Sequence, residues 1–109
     1  MKSGVWISFD LGLRGDYEGM YTWLDRHGAQ ECGDNFAHIR EFEHQGELIA
    51  ELKKDIEDSV DITRKTRIYV IFLPTDGDGP KGMFIVGGRK AAPWSGYAVD
   101  KERMEEDVI

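Results

Sequence analysis

The chain is short of cysteine, of long apolar runs and of repeats, and each shortage removes a class of protein. Cys32 is the single cysteine among 109 residues. An intramolecular disulfide and a cysteine-built zinc site are therefore excluded, and a reducing compartment is the expected setting. Met1-Lys2-Ser3-Gly4 leads straight into a short apolar strand, too brief for a signal-peptide core or a membrane-spanning helix. The expectation is a cytoplasmic protein that makes no use of a membrane. With no internal repeat, low-complexity stretch or linker, residues 1–109 read as one domain. Its charged end, from about residue 100, is expected to fray.

Positive charge is also scarce. Fourteen Lys and Arg stand against 21 Asp and Glu, a formal net charge of −7. That balance repels polyanions at long range and argues against sequence-independent nucleic-acid binding. Distribution qualifies the total: Arg64, Lys65 and Arg67 crowd together, Arg89 and Lys90 are adjacent, and Glu105, Glu106 and Asp107 collect in the tail. A local basic face on an acidic protein is compatible with this pattern.

What the chain does hold is apolar surface. Hydrophobic residues make up 40% of it, with five Phe, three Trp and four Tyr, enough to offset the entropy of ordering without disulfides or metal. Val5-Trp6-Ile7-Ser8-Phe9 reads as a strand. From Tyr17, apolar residues recur at Met20, Tyr21 and Leu24, one face of a helix with Asp16 as N-cap, Gly28 as its stop and Gly19 as a mild defect. Residues 30 to 42 change parity part-way, which one strand with a bulge near Gly33-Asp34 reconciles. Leu48, Ile49, Leu52 and Ile56 mark a second amphipathic helix from about Gly46 to Ser59. Arg67 to Leu73 is nearly continuous in apolar and β-branched residues, as a central strand buried on both sides is. Pro74 ends it, and Met83 to Val86 returns after a turn-rich segment.

Strand, helix, strand, helix, strand, strand with right-handed crossovers predicts a ferredoxin-like βαβαββ sandwich, an α+β fold with two helices on one face of a mainly antiparallel sheet. The other face is then open and rich in Trp, Phe and Tyr. Such a face is expected to meet a second subunit, a protein partner or the C-terminal segment. Trp94 and Tyr97 are candidates for that interface, packed on the body.

Ile7-Ser8-Phe9-Asp10-Leu11, with Asp16-Tyr17, Leu24, Gly28-Ala29 and Cys32-Gly33-Asp34 beyond it, resembles the small ferredoxin-like superfamily that contains the CRISPR-adaptation endoribonuclease-like subunit, the VapD-like toxins and the SinR-like proteins. The resemblance covers roughly residues 5 to 73. In that superfamily the first strand ends in an aspartate, and in some nuclease members two copies of it hold magnesium across a two-fold axis. The matching position here is Asp10, so the resemblance implies a catalytic and metal-binding role for it, with carboxylates and cation polarising a water against a phosphodiester. Asp34-Asn35 stand where a serine is often found, and neither the glycine-rich hairpin nor Trp94-Ser95-Gly96-Tyr97 has a counterpart in the pattern. Read from the residues alone, Asp10 is a carboxylate capping the turn after a strand.

Other motifs point to structure. The separations of His27, His38 and His44 match no metal-ligand spacing. His27 suits a helix C-terminus, His38 a strand surface, and Cys32 a small core position. Asp34 and Asn35 read as bulge or turn residues. Asp76-Gly77-Asp78-Gly79 lacks the further oxygen ligands of a calcium loop and reads as a hairpin turn, while Gly87-Gly88-Arg89-Lys90 lacks the context of a phosphate-binding loop.

Two functional expectations follow. The first is a non-enzymatic interaction or regulatory module, self-associating or bound to a protein partner, with no cofactor. The second is a magnesium-dependent nuclease or nucleic-acid-binding dimer, with Asp10 near the axis and Arg14, Arg64, Lys65, Arg67, Arg89 and Lys90 on phosphates.

Overall fold

The computed structural model describes residues 1–74 and 76–98; the end of the chain from about residue 100, expected to fray, lies outside the described residues. The elements are β1 (Lys2–Asp10), α1 (Tyr17–Arg26), β2 (Gln30–Gly33), β3 (Phe36–Glu43), α2 (Leu48–Ser59), β4 (Arg67–Phe72) and β5 (Lys81–Val86). They build one five-stranded sheet in the order β2-β3-β1-β4-β5, with every neighbouring pair antiparallel. β3 inserts between β1 and β2, the two strands joined through α1. This split βαβ arrangement is the expected α+β ferredoxin-like architecture, here extended by β5 at one edge.

Residues 30 to 42 differ from expectation in detail. They form a hairpin of two strands, not one bulged strand. Asn35 at the turn has φ 57°, a left-handed conformation that Asn tolerates better than most residues. A register shift does fall beside the expected position, between Glu31 and Gly33, and another lies further on: Ser3 pairs with Phe42 but Val5 with Ile39, so Gly4 alone faces both Arg40 and Glu41. That extra residue moves burial from Ala37 and Ile39 to Phe42. Cys32, expected in the core, is exposed, because β2 is a short edge strand.

The helix signals act as read. Asp16 accepts from the Gly19 N–H at 2.9 Å, and Gly28, at φ 64°, closes α1. The Gly28 and Ala29 amides there bond back to Asp25 and Leu24, satisfying carbonyls that the helix leaves over. Gly19 is more than a mild defect. A Cβ there would fall on the Asp16 carboxylate and lie 2.8 Å from the Ser59 carbonyl, so α1 and the end of α2 approach closely only because the side chain is absent. At the start of α2, Glu47 accepts from Ile49 and Ala50.

Both helices cover one face of the sheet. Val5, Ile7 and Phe9 of β1, Ala37, Ile39 and Phe42 of β3, and Ile68 and Val70 of β4 pack with Met20, Trp23 and Leu24 of α1 and Leu52 and Ile56 of α2. β4 alternates: Ile68 and Val70 are buried, while Tyr69 and Ile71 on the reverse are only half-buried, so it is not covered on both sides. Among the described residues no helix is long and apolar enough to cross a membrane.

Candidate functional site

Because side chains alternate along a strand, the residues of β1 that turn away from the helices are Trp6, Ser8 and Asp10. Strand register then selects their neighbours. His38 and Ile71 flank Trp6, Phe36 and Tyr69 flank Ser8, and Arg67 pairs with Asp10. Phe84 of β5 lies beside Tyr69. The open face is thus built from four strands.

Its rings fall into two pairs. Trp6 and His38 stack with centroids 4.4 Å apart and planes 8° from parallel, the separation of neighbouring strands, so both rings stand out of the sheet. Tyr69 and Phe84 meet edge to face at 4.9 Å, and the Arg89 guanidinium lies 5.6 Å from one ring centre and 5.7 Å from the other, within cation–π range. The Tyr69 hydroxyl passes over Gly82, where any Cβ would collide with it.

At the end of this face Asp10 is engaged on both carboxylate oxygens. One accepts from the Gly12 amide at 3.2 Å and the other from Arg67 at 2.9 Å. The Arg67 hydrogen bond, then the Gly12 amide, hold the carboxyl below the usual aspartate range, against an opposing effect of burial. The turn-capping bond read from the sequence is present. Ser8, Asp10, Arg67, Tyr69, Phe84 and Arg89 line a shallow depression of about 230 Å³. As a magnesium site within one chain this donor set does not fit: it offers a single carboxylate, already neutralised by a guanidinium. Among the described residues no three His, Cys, Asp or Glu side chains cluster as metal ligands.

The cations read as separate clusters in sequence come to one end of the molecule. Arg14 sits in the connection after β1, Arg64 and Lys65 in the connection before β4, Arg67 on the first residue of β4, and Arg89 and Lys90 directly after β5. Antiparallel pairing of Asp10 with Arg67 and of Ile68 with Val86 puts these segments together. Lys90 contributes to the low pKa of Asp10, and Gly12 lies against the Lys65 side chain. All but Arg67 are exposed. Asp16 and Asp61 share that end, so it is cation-rich but not purely basic.

Trp94 and Tyr97 are 74% and 66% exposed. They do not pack on the body: the segment after Gly87-Gly88 forms its own turn, with the Tyr97 amide bonded to the Trp94 carbonyl. Two of the histidines, His27 and His44, are hydrogen-bonded. His27 bonds to Asp55 at 2.9 Å, a carboxylate that also accepts from the Trp23 indole. Buried His44 lies between the Ser3 hydroxyl and the Gly46 carbonyl. The Asp76 carboxylate accepts from the Asp78 amide and pairs with Lys81, as a hairpin turn requires. Sequence reasoning missed Trp6 and His38 as a pair, although the alternation of β1 already set Trp6 apart from Val5 and Ile7.

No protein-family model, curated protein or solved structure matches this chain.

Proposed function

We propose that this protein is a non-enzymatic interaction module that self-associates through the open face of its sheet. The observation that supports it is the cluster of Trp6, His38, Tyr69 and Phe84 at the centre of that face. Trp6 and His38 cover one face of each other and Arg89 lies against Tyr69 and Phe84, which leaves less platform for stacking a nucleobase. The apolar surface of these rings, with half-buried Ile71 and Phe36, suits contact with a second sheet. Aromatic and arginine side chains are also those enriched at protein interfaces. Asp10 is held by Arg67 and the Gly12 amide, which disfavours the catalytic reading that rests on it. A lone exposed thiol suits the reducing cytoplasm.

Light scattering of the full chain, with and without magnesium and a short nucleic-acid duplex, tests this. The expected result is a dimer whose mass is unmoved by either addition, and a monomer that still folds for Trp6→Glu. A wild-type monomer, or a Trp6→Glu dimer, would overturn the reading.

A second reading, nucleic-acid binding, draws on a different observation: the gathering of Arg14, Arg64, Lys65, Arg67, Arg89 and Lys90 at one end. It expects mass gained with the duplex and lost steeply with salt. It needs no metal.

A further inference from the structure

Between α1 and the β2–β3 hairpin lies a cleft of about 520 Å³, within the size range of small-molecule sites. Its origin is local. β2 is the edge strand, and α1 reaches over it only as far as Tyr21 and Leu24. Ala29 and Ala37, which line the cleft, are too small to fill the gap. Phe9 and Tyr21 form a corner, their planes 75° apart and their centroids 6.3 Å apart. Phe9 is buried while Tyr21 stands 55% exposed, an unusual position for a large ring that already has aromatic company.

The charges around this corner have one sign. Glu31 pairs across the hairpin with Ala37, which puts it on the helix-facing side of β2, and Asp34 sits at the turn; both line the cleft. Neither joins an ion pair among the described residues. No Lys, Arg or His is among the residues lining the cleft. One exposed aromatic wall at Tyr21, a floor of buried Phe9 and two alanines, and two carboxylates outside any ion pair suit an organic ammonium ion: its methyl or methylene groups pack on the apolar floor, its charge is attracted by the Tyr21 ring, and the carboxylates offset it. An anionic ligand would be repelled by both carboxylates.

We infer that this cleft binds a small organic ammonium ion through Phe9, Tyr21, Glu31 and Asp34. It opens on the helix side of the sheet, away from Trp6, His38, Tyr69 and Phe84; Phe36, which lines it, also borders the proposed association face.

The test is a titration of the full chain with choline, followed by amide chemical shifts, beside its neutral isostere 3,3-dimethyl-1-butanol, in which carbon replaces the charged nitrogen. Choline is expected to give saturable shifts centred on Ala29, Gly33, Asn35 and Ala37, and the isostere to bind at least about tenfold more weakly. Glu31→Gln with Asp34→Asn should weaken choline by about tenfold or more, since both charges are lost. Tyr21→Leu, which keeps apolar bulk and removes the π face, should weaken choline more than the isostere. All three substituted positions are exposed, so these variants are expected to keep the remaining spectrum. Absence of saturable shifts with choline overturns the inference. So does equal binding of the isostere, which would make the cleft merely hydrophobic, or an unchanged affinity in the double carboxylate variant.

Discussion

The two faces of one strand behave as different materials. On β1, Val5 and Ile7 are fully buried beneath the helices, and what is asked of them is volume and shape. One residue away on either side, Trp6, Ser8 and Asp10 are held only by cross-strand neighbours, a stack, a depression and an ion pair. The lesson is that stability is concentrated on the covered face and chemistry on the open one, so substitutions a single position apart should differ in kind.

Ile7→Ala should show the largest effect, a loss of about 2–5 kcal/mol in urea unfolding, because the closed core cannot collapse around the missing atoms. Gly19→Ala comes next. Helix propensity alone favours alanine by about 1 kcal/mol, but the added Cβ meets the Asp16 cap and the Ser59 carbonyl. A net loss of about 1–3 kcal/mol is therefore expected, and a gain would show that the helices are not held as closely as described. On the open face the effects shrink. Asp10→Asn should cost less than about 1 kcal/mol at neutral pH, since its pair with Arg67 is half exposed and screened. The sign with pH is definite. The folded pKa of Asp10 is depressed, so its contribution is fully present above the ordinary aspartate range and disappears as pH falls through the folded value. Unfolding curves of the wild type and Asp10→Asn should converge in acid. Ser8→Ala, exposed and without a hydrogen-bond partner among the described residues, should stay within about 0.5 kcal/mol. A large effect there would break the contrast between faces.

Much of the covered face was legible in the sequence. The spacing of Leu48, Leu52 and Ile56 and the cap and stop at Asp16 and Gly28 follow from local rules that tertiary contacts left intact. The hairpin was not legible, because Gly33-Asp34-Asn35 has the same residue types whether the chain bulges or turns back. Only pairing of β2 with β3 decides between them. The bulge at Arg40 and Glu41 carries no local signal at all, since neither is a glycine and the extra residue is on the strand opposite Gly4. On the open face, Asp10 was visible as a strand-ending carboxylate, but its partner Arg67 is 57 positions away and becomes a neighbour only once β4 is placed beside β1. For the same reason the six cations read as scattered clusters.

Asp16 serves two masters. Its carboxylate accepts from Gly19 inside α1 and, at 2.9 Å, from the amide of Asp61 beyond the end of α2. It thereby fastens the two connections that carry Arg14, Arg64 and Lys65. Those bonds, to Asp61 first and Gly19 second, lower its pKa, so the clasp is fully closed above the ordinary aspartate range and opens as pH falls through the folded value. Acid below the ordinary aspartate range should therefore lower amide-exchange protection at Gly19 and Asp61 while β1 stays protected. The cation-bearing end would come loose as a unit, ahead of the core that supports it.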